Sequence, residues 1–132
     1  MSLLLDTHYV FALAGSVNQL TPRELNFLAT CPDSFVVSAV SIWEMRLKWD
    51  TLHLSGDRKG PLDPAQALRA LAGQDIDFLP LSPAHAAMPL REPFAHTDPF
   101  DLLLLVQAQA EGIKLLTRDA KLLRHPLAVQ AT

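Results

Sequence analysis

The sequence predicts an α/β fold with a central parallel sheet and helices on both faces. Two observations carry this. Short apolar runs alternate with helical segments, the pattern of successive βαβ units. The leucine-rich strand candidates also lack polar alternation, as strands covered on both faces should. At 132 residues the chain is expected to be one domain, 1–132, long enough to bury a core without disulfide or metal staples.

The elements follow in order. Leu3-Leu4-Leu5 reads as a short buried strand ending at Asp6. Thr21-Pro22-Arg23-Glu24 opens a helix, with Thr21 as N-cap, Pro22 at the first helical position and Glu24 closing a capping box. Phe35-Val36-Val37 is a second strand, followed by a helix from about Ala39 to Trp49. Asp63-Pro64 starts another helix, which Gly73 is expected to stop with a left-handed residue. Ile76 to Leu81 reads as a third strand, and Ser82-Pro83 repeats the N-cap and proline pattern. Residues 99 to 111 form the most apolar helix, with Gly112 just past its end. Lys114-Leu115-Leu116-Thr117 is the next strand, and Ala128-Val129 a last short one. Open parallel sheets bind ligands beyond the carboxyl ends of their strands, and Asp6 and Asp119 both stand there.

Composition excludes several classes. The longest run of large apolar residues, Leu102 to Val106, falls far short of the roughly 20 needed to span a bilayer. Met-Ser-Leu-Leu-Leu-Asp has no basic region of the kind that opens a secretory signal. The single Cys31 rules out an internal disulfide framework and any cysteine-based zinc cluster. A cytoplasmic protein without membrane contact is expected.

Four carboxylates occupy unusual places. Asp6 closes the first strand, and Glu44 lies inside a helix in Ser-Ile-Trp-Glu-Met-Arg. Asp101 opens the most apolar helix, and Asp119 follows Leu-Leu-Thr-Arg. Burying a carboxylate costs several kcal/mol unless it is paired or metal-bound. Hard Mg²⁺ prefers such oxygen ligands. Each acid also has a purely structural reading. Asp6 fits as the cap of a helix near Tyr9, and Glu44 completes a Ser41-x-x-Glu44 capping pattern. Asp98 fits as an N-cap before Pro99, with Asp101 in the favourable first turn, and Asp119 as the cap of a short helix from Ala120 to Leu123. The net charge of −3 argues against nucleic acid, but without these four acids the rest of the chain stands at +1.

Leu-Leu-Leu-Asp-Thr-His at 3–8, Val-Ser-Ala-Val-Ser-Ile-Trp-Glu at 37–44, His-Thr-Asp-Pro-Phe-Asp at 96–101 and Leu-Leu-Thr-Arg-Asp at 115–119 resemble the motifs of PIN-domain ribonucleases. They look closest to the VapC-type toxins of toxin–antitoxin pairs. The resemblance covers nearly the whole chain, in order. It implies a Rossmann-like three-layer sandwich with strand order near 3-2-1-4-5. It implies an endoribonuclease dependent on Mg²⁺ or Mn²⁺, a hydrolase leaving a 5′-phosphate and a 3′-hydroxyl. Its acidic quartet maps onto Asp6, Glu44, Asp101 and Asp119, as both catalytic and metal-binding residues. Asp98 matches a subfamily feature outside the quartet, and Thr117 a small hydroxyl residue near the metal's water; both are auxiliary candidates. A homodimer and a small antitoxin that blocks the site are implied as well.

Cations for an RNA backbone are expected from Arg118, Lys121, Arg124 and His125 beside Asp119, and from Arg46 and Lys48 after Glu44. His8 and His96 flank the acids in sequence, and Trp49, more than Trp43 or Phe11, is the expected interface aromatic. Two other readings share the same residues: a Mg²⁺-dependent phosphatase or DNA nuclease, and a non-catalytic PIN-like RNA-binding module. The Asp-x-Asp nucleophile motif of one large phosphatase class is absent at Asp6, which disfavours the phosphatase.

Overall fold

The structure, a computed structural model, describes residues 1–15, 17–51, 62–96 and 98–132; Thr97 of the 96–101 motif lies outside them. Its strands are β1 (Ser2–Leu5), β2 (Ser34–Ser38), β3 (Ile76–Leu79), β4 (Lys114–Leu116) and β5 (Ala128–Val129). Every pairing is parallel, and the strands lie side by side as β3-β2-β1-β4-β5. This is the order the resemblance implied. The helices are α1 (Thr7–Ala14), α2 (Pro22–Thr30), α3 (Ala39–Asp50), α4 (Pro64–Ala72), α5 (Pro83–Ala87) and α6 (Pro99–Glu111).

Successive side chains of a strand point to opposite faces of its sheet. Leu3, Leu5, Val37 and Leu116 therefore meet Tyr9, Met45 and Leu71 from α1, α3 and α4 on one side. Leu4, Val36 and Leu115 meet Leu104, Leu105 and Ala108 of α6 on the other. Fully burying a leucine stabilises by about 1.5–3 kcal/mol. That burial on both faces, rather than β-branching, holds Leu-Leu-Leu in a central strand.

Helix starts follow their caps. Thr21 and Glu24 form a reciprocal capping box at α2. Ser82 does the same for α5, with His85 in place of the usual acid. Asp98 accepts the Phe100 and Asp101 N–H groups at the head of α6, and Gly112 ends that helix at φ 68°. Three expectations shift. Gly73 is right-handed, with φ −81°, because the Gln74 N–H closes a tight turn on the Leu71 carbonyl. β3 stops at Leu79, two residues early, since Pro80 has no N–H for a ladder. The short turn after Asp119 is a 3₁₀ turn at Leu122–Arg124 instead of a helix from Ala120.

One polar side chain lies fully inside the apolar α6. Gln107 accepts the Ser38 hydroxyl and donates to the Pro80 carbonyl at 3.3 Å. Ser38 in turn caps α3 by accepting the Val40 N–H. Gln107 thus ties α6 to the carboxyl ends of β2 and β3.

Candidate active site

The chain order reverses at β1, which has β2 on one flank and β4 on the other. Asp6 leaves β1 at this point, and its own N–H continues the ladder to the Leu116 carbonyl at 2.9 Å. Asp6 as a residue is 8% exposed. Oδ1 accepts the Thr7 N–H at 2.8 Å and Oδ2 accepts the Thr117 hydroxyl at 2.6 Å. The capping and site readings of Asp6 therefore coincide: one oxygen caps α1 and the other faces the end of β4.

Glu44 sits mid-helix in α3, not in a capping box with Ser41. Its Oε1 accepts the Thr7 hydroxyl at 2.9 Å, and Lys48 pairs with Oε2 at 3.1 Å. Because Thr7 gives its proton to Glu44, the 3.0 Å contact between Thr7 and Ser41 uses the Ser41 proton. Asp101 accepts from His96 Nε2 at 2.9 Å. Asp119 donates its N–H to the Thr117 hydroxyl oxygen and accepts the Lys121 N–H at 2.8 Å. Asp98 serves as the α6 cap.

Asp6 is the electrostatic centre. Glu44 and Asp119 both act on it, and it acts on Asp101. As the side chains lie, no three His, Cys, Asp or Glu among the described residues stand close enough to hold a metal ion. Each of the four carboxylates is bonded to a donor of the protein.

A family model for the PIN domain matches residues 3–126. The chain belongs to the PIN domain family. No match was found among the curated proteins. Among solved structures, one chain of VapBC2 from Rickettsia felis, bound to a DNA fragment from their promoter, superposes with a TM-score of 0.63. The two chains are 16% identical, over 98% of this chain and 97% of that one, a likeness of fold over the full length.

Two acids of this PIN domain, Asp6 and Asp101, stand where burial disfavours their charge. Burial raises the carboxyl of Asp6 above its ordinary range, and Glu44 and Asp119 add to the effect against the bonds from Thr117 and Thr7. Burial likewise lifts Asp101 to about 6, with Asp6 and Asp98 adding to it and His96 opposing. Oxygen-only ligands with destabilised negative charge are chemically suited to a hard divalent cation.

The expected cations are placed unequally. Lys121 and Arg124 are exposed. Arg46 pairs with Asp50 at 3.1 Å, and Lys48 with Glu44. Arg118 spends its guanidinium on Glu24 and the Gln19 carbonyl. His125 is not a surface cation: it is buried, its Nδ1 accepting the Leu127 N–H and its Nε2 donating to the Glu92 carbonyl. The pKa of His8 is held down by burial and by Arg118, while His96 stacks on Phe94. Trp43, 56% exposed, presents its indole to solvent, whereas Trp49 is half-buried and Phe11 buried. Sequence reasoning missed Thr7 as a partner of Asp6 and Glu44, and Ser41 as a partner of Thr7. It also missed the second role of Glu24, which accepts the Tyr9 hydroxyl at 2.5 Å beside Arg118.

Proposed function

We propose that this PIN domain is a divalent-metal-dependent endoribonuclease and the toxin of a toxin–antitoxin pair, acting on cytoplasmic RNA. One observation carries the reading: a buried, charge-strained Asp6 at the sheet's switch point, in the field of Glu44 and Asp119 and acting in turn on Asp101. The fold likeness to a chain of a VapBC complex supports the biological side.

Asp6, Glu44, Asp101 and Asp119 would hold Mg²⁺ or Mn²⁺. The bound ion supplies positive charge against the scissile phosphate and makes a water more acidic. The chain's own part is orientation. Thr117 and the Thr7 N–H fix the two oxygens of Asp6, the Thr7 hydroxyl holds Glu44, and His96 aims Asp101. Lys121 and Arg124 give the phosphate backbone exposed cations, with Lys48 and Arg46 on α3. Such contacts position RNA without reading its sequence.

For the antitoxin we assign the apolar groove of about 690 Å³ lined by Trp43, Leu68, Phe78 and Pro80. Leu47, exposed on the next turn of α3 after Trp43, lines a second pocket together with Glu44. A basic side chain following an apolar segment would complement Glu44 in that second pocket. The toxin acts as a homodimer in this reading.

The test is incubation with total RNA, with Mn²⁺ and with EDTA. RNA should be cut only with the metal, leaving 5′-phosphates. Asp6→Asn and Asp101→Asn should abolish cleavage, by at least about 100-fold, while circular dichroism shows an intact fold. Cleavage of DNA or a small phosphate ester with RNA left whole, or RNA binding without cleavage, would overturn the reading.

A further inference from the structure

We propose that Glu24 is a positioning residue for the acid site, acting through Arg118 to hold the Thr117–Asp119 segment in place. The inference rests on the nuclease reading for its activity measurement only. Residues 24 and 118 lie 94 positions apart, yet they meet in two charge-assisted hydrogen bonds. Arg118 Nε donates to Glu24 Oε2 at 3.1 Å and Nη2 to Oε1 at 2.5 Å. Glu24 is 6% exposed and also accepts the Tyr9 hydroxyl and the Thr21 N–H. Nη2 of Arg118 reaches the Gln19 carbonyl as well, at 3.2 Å.

The position of Arg118 gives the pair its meaning. Thr117, one residue before, donates to Asp6, and Asp119 follows one residue after. The sheet ladder ends at Thr117, whose N–H reaches the Val129 carbonyl. Beyond it, among the described residues, the hydrogen bonds of residues 118–121 stay within residues 117–124, apart from those of the Arg118 guanidinium. Arg118 is therefore the tether of the loop that carries Asp119, and Glu24 is what it is tethered to. Bidentate arginine–carboxylate pairs fix direction as well as distance. A phosphate-binding role for Arg118 would require it to abandon three acceptors.

Glu24→Gln keeps the capping box of α2 while removing the charge. Arg118→Met removes the tether from a side chain that is 40% exposed, so it tests the same link should the first variant not fold. Each single variant and the double variant is compared with the wild type in three measurements. Hydrogen exchange of the Asp119 amide should accelerate. Mn²⁺ affinity by calorimetry should fall about 10-fold, the scale seen when partners of metal ligands are removed. RNA cleavage should lose kcat with KM unchanged, and the double variant should be no worse than the worse single one, as for two parts of one device. Unaltered Asp119 exchange and Mn²⁺ affinity with a lowered Tm would overturn the proposal in favour of a purely structural pair. A raised KM for Arg118→Met that adds to the Glu24→Gln effect would overturn it in favour of a phosphate contact. A wild type that cuts no RNA sinks the nuclease reading alone, because amide exchange still decides whether the tether exists.

Discussion

Asp101 shows what the site costs the fold. Its carboxyl titrates near 3.8 when unperturbed but is lifted to about 6 in the folded chain, by burial first. The folded state then binds that proton more tightly than the unfolded state. Its contribution to stability is complete below about pH 4 and disappears as pH rises through about 6. We expect the metal-free wild type to lose Tm relative to Asp101→Asn across that window, and Mn²⁺ at pH 7 to restore it. A wild type and Asp101→Asn with parallel Tm profiles from pH 4 to 7 would show that the charge is not strained. Asp6 and Asp101 stood out in the sequence as candidate site residues because each adjoins a run of leucines that has no use for a carboxylate. Glu24 was legible only as a cap, since nothing near it in sequence names Tyr9 or Arg118. Asp119 gave a mixed signal, and its oxygen indeed serves a local turn through the Lys121 N–H.

Among the elements, the helices with a polar cap and a proline were readable at their first residue, because the capping side chain and the fixed proline φ act locally. Ends were less readable. Gly112 and Gly73 look alike in sequence, yet only Gly112 adopts the left-handed conformation, because α4 closes through Gln74 instead. Gly112→Ala should therefore destabilise the protein by about 1 kcal/mol, as the cost is conformational: an added methyl would meet no atom within 4 Å. Urea denaturation measures this, and an unchanged midpoint would mean that the α6 terminus relaxes freely. Strand β3 shows the converse limit. Its apolar pattern runs on to Leu81, but the missing N–H of Pro80 ends the pairing first.

At the scale of the molecule, the layers were legible because uninterrupted leucines demand cover on both faces, whereas the buried ties between layers were not. Gln107 puts a polar side chain into an apolar helix. In the structure it joins α6 to Ser38 and to the Pro80 carbonyl. Gln107→Leu should cost about 2 kcal/mol in chemical denaturation, because it removes the acceptor of the fully buried Ser38 hydroxyl. A neutral result would show that the tie is dispensable. The pairing of β1 with β4 has one more consequence. Asp6 receives the Thr117 hydroxyl from 111 residues downstream, and its N–H rests on Leu116. A growing chain on the ribosome therefore carries Asp6 almost from the start but cannot assemble the acid centre until the β4 segment has emerged. Under the nuclease function proposed above, the site would be withheld from the chain's own message through nearly all of its synthesis.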